Sequence, residues 1–194
     1  MTLLALVRHG QTDWNAGRRI QGRTDVPLNN MGRAQALLAA SALRDGGWER
    51  VASSTLCRAG ETAEIIASAL GLEPPVTHPG LVERDYGVAE GTAVADFRAR
   101  YGSGALIPGA ETNERLTART LTALIDLVAQ EPEVPTVVVA HGGVIHALLG
   151  HVSGGTLSQP GGRIENGSVT VFRMINAGLR LAADLENVGT ECST

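Results

Sequence analysis

Apolar residues fall into two alternating patterns along the chain, short unbroken runs and longer amphipathic stretches. Residues 3–7 and 136–140 are continuous apolar runs, the second with three valines in a row. Such runs mark strands buried on both faces. Shorter runs at residues 50–53 and 75–78 predict two more strands. Asn29 can cap a helix reaching about Arg44, stopped by Gly46 and Gly47. Ala59, Ala63, Ile66, Ala67 and Leu70 line one face of a second helix, ended by Gly71. Residues 11–28, rich in Gly, Asn and Asp, read as a loop. A short helix is predicted over 92–101 and a loop over 102–109. Residues 111–130 predict a long amphipathic helix, with Leu121, Leu124, Ile125 and Val128 on one stripe. A helix over 144–152 follows the valine strand. Residues 168–175 and 179–185 predict a β-hairpin turning at 176–178, before a loose tail beyond Asn187.

Strands alternating with helices imply a mainly parallel sheet covered on both faces. The expected fold class is therefore α/β, a three-layer α/β/α sandwich forming a single domain over residues 1–194. A chain of 194 residues buries roughly 70% of its unfolded surface without needing disulfides or metals. Aromatic residues make up only 3%, so Ala, Val, Leu and Ile must build the core.

Charge narrows the chemistry. All sixteen basic residues are arginine, and there is no lysine. A P-loop needs its lysine and a Schiff base needs a lysine amine, so both are excluded. Phosphate, if handled, must be held by arginine forks, which match phosphate oxygens bidentately. A net charge of −4, with no basic run beyond Arg18 and Arg19, disfavours nucleic-acid binding. Cys57 and Cys192 form no spacing pattern and read as reduced thiols of a cytoplasmic protein. Residues 2–7 have no basic segment before them, unlike a secretory signal, and no stretch approaches a membrane span.

The candidate chemistry converges by position. Arg8, His9 and Gly10 directly follow the first strand, Arg58 lies just beyond the second, and Glu83 beyond the third. His141, Gly142 and Gly143 directly follow the valine strand. In open α/β sheets ligands bind outside the carboxyl ends of the strands, so these residues share one rim. His9 alone would read as a core histidine. Between Arg8 and Gly10 it is a poor packing residue and a good nucleophile, kept neutral by the neighbouring cations. Arg58 starts a helix, where a cation is unfavourable unless an anion compensates it; the alternative is a surface pair with Glu61 or Glu64. His141 could cap the next helix or approach a ligand. Among Glu83, Asp85 and Glu90, spacing does not choose an acid. Other nucleophiles fail: Cys57 has Ala63, not arginine, six positions on, and no G-x-S-x-G, H-E-x-x-H or G-x-G-x-x-G occurs.

The run Leu6-Val7-Arg8-His9-Gly10-Gln11-Thr12-Asp13-Trp14-Asn15 closely resembles the signature of the histidine phosphatase (phosphoglycerate mutase-like) superfamily. The resemblance continues through Gln21-Gly22-Arg23-Thr24-Asp25-Val26-Pro27-Leu28, Gly32, Gln35 and residues 53–62. It goes on in Glu83-Arg84-Asp85-Tyr86-Gly87, Pro108-Gly109-Ala110-Glu111, His141-Gly142-Gly143 and Asn166-Gly167-Ser168, in order over nearly the whole chain. It implies that His9 is phosphorylated, and that Arg8, Arg58 and His141 hold the phosphoryl group with Asn15 nearby. Glu83 is then the proton donor to the leaving oxygen and later the base that activates water. Gln21, Gly22, Arg84, Tyr86 and Gly142 complete the implied substrate and phosphate contacts. A small helical lid is expected over about 92–121. Many relatives carry an arginine shortly after the HGG motif, where this chain has His146.

The resemblance implies a phosphoric monoester hydrolase acting on small phosphorylated metabolites through a phosphohistidine, without metal or cofactor and with a homodimer possible. Two alternatives accompany it. A cofactor-dependent phosphoglycerate mutase would have a longer lid with a lysine and paired arginines, whereas Arg98, Arg100, Arg115 and Arg119 make no adjacent pair here. A signalling module would dephosphorylate protein phosphohistidine, or bind phospho-ligands without turnover.

Overall fold

The computed structural model describes residues 1–102, 105–157 and 163–182. Six strands form one sheet among them: β1 (Thr2–Arg8), β2 (Arg50–Ser53), β3 (Val76–Thr77), β4 (Thr136–Ala140), β5 (Val169–Ile175) and β6 (Gly178–Leu181). Their order is β3-β2-β4-β1-β5-β6. The β3–β2, β2–β4 and β4–β1 pairs are parallel, while β5 and β6 add an antiparallel edge. The predicted hairpin turns through Asn176 and Ala177, both at positive φ (47° and 62°), as a tight two-residue turn demands. The end of its second strand beyond residue 182, the tail and Cys192 lie outside the described residues. Cys57 is an exposed free thiol.

The strand alternation divides the core in two. Leu4, Leu6, Ala52, Val138 and Ala140 face one side, where they meet α5 (Asn113–Gln130) and α6 (Gly142–Val152). Ala5, Val7, Val51, Val137 and Val139 face the other, against α2 (Asn30–Leu43) and α3 (Cys57–Leu70). The three-layer α/β/α expectation is borne out. Asn29 caps α2 through Gly32 N–H at 2.9 Å, and Gly71 ends α3 at φ 69°, as their sequence signals predict.

Two features differ from the sequence reading. The loop over 11–28 contains a one-turn helix, α1 (Asp13–Ala16), nucleated by a reciprocal cap between Thr12 and Asn15. Four residues are too few to show apolar periodicity. The segment 92–121 also divides in two. Its first part, α4 (Val94–Tyr101), has no buried residue, whereas α5 buries Leu116, Thr120, Ala123, Leu124 and Leu127 in the core.

Registry brings the site together. Arg8 pairs with Ala140 and Ser53 with Val139, so the chains leaving β1, β2 and β4 emerge side by side. The start of α2 closes on the first of these exits: a Cβ on Gly32 would overlap the Gln11 carbonyl, and one on Gly10 the Gly32 carbonyl. Gly32→Ala is expected to cost about 1–3 kcal/mol through forced overpacking. Urea unfolding measures it as a lower midpoint at constant slope; an unchanged midpoint would show that the close approach constrains nothing.

Candidate active site

His9 directly continues β1 and is almost fully buried. Its N–H donates to the Ala140 carbonyl at 3.0 Å, and its own carbonyl accepts Asn166 Nδ2 at 3.0 Å. With the backbone pinned, the ring is set by Nδ1, which lies 2.7 Å from the Gly10 carbonyl. A carbonyl only accepts, so Nδ1 carries the proton and Nε2 keeps its lone pair. Gly10 is tied in turn to α3, its N–H donating to Thr62 Oγ1 at 3.1 Å. His141 stands beside it, with ring centroids 5.1 Å apart. Although His141 is the N-cap residue of α6, its side chain makes no capping bond; Nε2 lies 2.8 Å from Ser54 Oγ instead.

Arg58 is fully buried, which removes the reading of a surface pair. Glu61 pairs with Arg33 at 2.6 Å, not with Arg58. The Arg58 guanidinium donates to the carbonyls of Gly22 (2.8 Å) and Thr24 (2.9 Å), and its Nε to His9 Nε2 at 3.3 Å. Gly22 thus positions Arg58 by its carbonyl, on a turn at φ 59° where any Cβ would collide with Glu90. Arg8 donates Nη1 to the Ile164 carbonyl, while its Nε is buried without a partner. A Cβ on Gly142 would lie 3.2 Å from that Nε, so the glycine allows the close packing. Among the described residues, neither Arg8 nor Arg58 forms an ion pair.

Burial and these cations together set the charge of the histidines. Burial first, then Arg58 and Arg8, holds His9 well below the usual histidine range. Burial and Arg58, with His9 and Arg8 adding, do the same to His141. Both rings are neutral at pH 7. Burial likewise pulls Arg8 and Arg58 below the usual arginine value.

The choice of carboxylate follows from hydrogen bonding. Glu83 turns both oxygens to backbone at the site, accepting Arg84 N–H at 2.7 Å and Gly143 N–H at 3.0 Å. It thereby caps α6 in place of His141, and a Cβ on Gly143 would run into it. Glu90 instead clamps the 20s loop, accepting Arg23 N–H, Thr24 N–H and Thr24 Oγ1 at 2.6–2.9 Å. Asp85 accepts Gly87 N–H at 2.8 Å. Both competitors are committed to loop structure.

Behind Glu83, Arg119 grips the Glu111 carboxylate with two nitrogens (2.7 and 2.9 Å) and donates to the carbonyls of Gly80 and Glu83. Burial alone would raise the Glu111 carboxyl, but the Arg119 fork holds it below the usual range. Arg84 donates Nε to the Glu111 carbonyl at 2.9 Å and stacks 5.1 Å over the Tyr86 ring. Burial, with Glu83 adding, pushes the Tyr86 hydroxyl up, so it stays a donor. That ring meets Phe97 of α4 edge-on at 5.8 Å. Asn15 receives Thr12 N–H and Asn166 Nδ2 on its carbonyl oxygen (3.2 Å each), and Gln21 accepts Thr12 Oγ1 at 3.0 Å.

Arg8, His9, Asn15, Gln21, Gly22, Arg58, Glu83, Arg84, Tyr86, His141 and Gly142 thus lie in one network of contacts, while His146 falls on α6. The chain matches the model of the histidine phosphatase superfamily (branch 1) over residues 4–184. It belongs to that superfamily. Among other histidine phosphatase relatives, the uncharacterized phosphatase PhoE of Bacillus subtilis is 42% identical over 166 residues, covering 86% of this chain and 85% of that protein. Phosphoglycerate mutase-like protein 4 of Arabidopsis thaliana is 35% identical, covering 89% and 80%. A mycobacterial glucosyl-3-phosphoglycerate phosphatase in complex with VO3 superposes with a TM-score of 0.80 at 33% identity, covering 92% and 96%. A phosphoserine phosphatase mutant from Entamoeba histolytica, in complex with phosphoserine, gives a TM-score of 0.80 at 26% identity, covering 94% and 95%.

Sequence reasoning gave no role to Ser54, Thr62, Asn166 or Arg119. The first three sit inside the motifs that carry the family resemblance, whereas Arg119 is one more polar position on α5 and gave no signal.

The two neutral imidazoles make stability depend on pH. Both resist protonation when folded, so below about pH 6.5 the unfolded chain binds more protons. Their contribution is complete above that value and is lost as the pH falls toward the folded values. Urea midpoints are expected to drop between about pH 6.5 and 5, and His141→Asn to flatten that drop. A flat wild-type profile would mean the rings are not held neutral by the fold.

Proposed function

We propose that this histidine phosphatase is a metal-independent phosphomonoesterase acting on small phosphorylated metabolites through phosphorylated His9. The observation that carries the reading is the unprotonated Nε2 of His9, which accepts Arg58 Nε at 3.3 Å beside a buried guanidinium that pairs with no carboxylate among the described residues. Arg8, Arg58 and His141, with Asn15 at the edge, surround the phosphoryl oxygens and neutralise the charge that spreads over them. The Nε2 lone pair forms the N–P bond as the P–O bond to the leaving group breaks. Glu83, protonated at that moment, gives its proton to the leaving oxygen. Its carboxylate then takes a proton from water as water attacks phosphorus, releasing inorganic phosphate and restoring His9.

The names of the relatives support a small phosphorylated substrate. Arg84, Tyr86, Gln21 and the segment about 92–112 are where selectivity for the rest of that molecule resides. An open hollow of about 470 Å³, lined by Gly17, Arg18, Ala93, Val94, Ala95 and Arg98, borders the segment. The mutase alternative loses ground because Arg119 is already committed to Glu111 and to backbone. Among the described residues no group of three or more His, Cys, Asp or Glu could hold a metal ion.

His9→Ala is expected to abolish turnover, as assayed by phosphate release; retained activity would remove His9 as nucleophile. Glu83→Gln should slow alkyl phosphates far more than p-nitrophenyl phosphate, whose leaving oxygen needs little protonation. Equal losses on both would leave Glu83 a shaping role only. Turnover should persist in EDTA, and an EDTA-sensitive rate would contradict the metal-free scheme. Isomerisation of 3-phosphoglycerate without hydrolysis would favour the mutase.

A further inference from the structure

Ser54 follows β2 directly and is completely buried. Its hydroxyl oxygen accepts Leu56 N–H at 3.2 Å and lies 2.8 Å from His141 Nε2. The other ring nitrogen, Nδ1, is buried with no partner. Two proton arrangements fit the 2.8 Å contact. If Nε2–H donated to the serine, Ser54 Oγ would accept twice and its own proton would be buried without an acceptor. That costs on the order of 1–3 kcal/mol. If Ser54 Oγ–H donates to Nε2, the hydroxyl accepts once and donates once, and only the Nδ1–H is left without a partner among the described residues, whereas the first arrangement orphans both the hydroxyl proton and the Nδ1 lone pair. The proton of the neutral imidazole then resides on Nδ1.

We propose that Ser54 is a positioning residue that fixes His141 as its Nδ1–H tautomer, so that Nδ1 presents a donor to the phosphoryl oxygens. The inference rests on the phosphatase reading above and adds a residue to it. A second orphan supports the direction: Arg8 Nε is buried and unpartnered against Gly142, the residue after His141. Other buried nitrogens lack partners elsewhere among the described residues, Trp48 Nε1 and Arg173 Nε for example, but these two lie together at the proposed phosphoryl site, where one ligand can accept from both. A lone pair on Nδ1 would instead repel phosphoryl oxygen. His9 and His141 therefore share a tautomer and use it in opposite ways. The Gly10 carbonyl accepts the Nδ1–H of His9 and leaves the Nε2 lone pair, which Arg58 Nε faces, to attack, whereas the Ser54 hydroxyl fills Nε2 of His141 and leaves Nδ1–H to donate.

Long-range proton–nitrogen NMR on histidine-labelled enzyme at neutral pH reads the tautomer directly. The wild type should show His141 protonated at Nδ1 and bare at Nε2, with inorganic phosphate shifting the Nδ1 signal. Ser54→Ala should lose the single tautomer and lower kcat on the order of 10²-fold, with KM moving much less. A proton on Nε2 in the wild type overturns the inference, whether or not the variant folds. So does a Ser54→Ala enzyme with unchanged tautomer and kcat. If phosphate shifts neither ring, the site reading itself fails along with this one.

Discussion

Arg8 and Arg58 sit at the carboxyl edge of the sheet, the first half-buried and the second fully buried, unpaired with any carboxylate among the described residues. Removing a charge from water without a counter-ion costs several kcal/mol even after relaxation. For Arg58 the cost is offset in part by two carbonyls, each charge-assisted bond worth about 1.5–3 kcal/mol. In the proposed mechanism a phosphoryl dianion supplies the counter-charge, and arginine forks match its oxygens in shape as well as sign.

Much of the surrounding structure follows from holding those cations still. The 20s loop aims the carbonyls of Gly22 and Thr24 at Arg58, and Glu90 fastens that loop from the other side. Burial, with the same cations adding, keeps His9 and His141 unprotonated, which a nucleophilic imidazole requires. Glu83 is oriented by two backbone N–H groups, one on each oxygen, and Arg119 anchors its carbonyl to α5. An acid paired with Arg58 would be poorly placed to give a proton away.

The frame was legible in the sequence because it rests on local signals. The apolar runs became β1, β2 and β4, Asn29 capped α2, Gly71 ended α3, and the strand ends gathered Arg8, His9, Arg58 and His141. The hidden parts depend on contacts distant in sequence. Glu83 could not be separated from Asp85 and Glu90 by spacing, since what separates them is which backbone N–H groups each one meets. Arg119 lies on an ordinary helical face, and its role appears only when α5 packs behind residues 80–83. Separate helices over 92–101 and 111–130 were legible, but that α4 buries no residue while α5 enters the core depends on packing. Ser54 carried a family motif but no chemistry until a buried ring nitrogen was found beside it.

The central claim is that one imidazole carries the phosphoryl group between substrate and water. Mass-spectrometric mapping of enzyme quenched in alkali during turnover of a phosphomonoester tests it most directly. A single phosphoryl group on His9, stable in base and lost in acid, is the predicted result. Phosphate found on any other residue, or none at any time during turnover, would contradict the account.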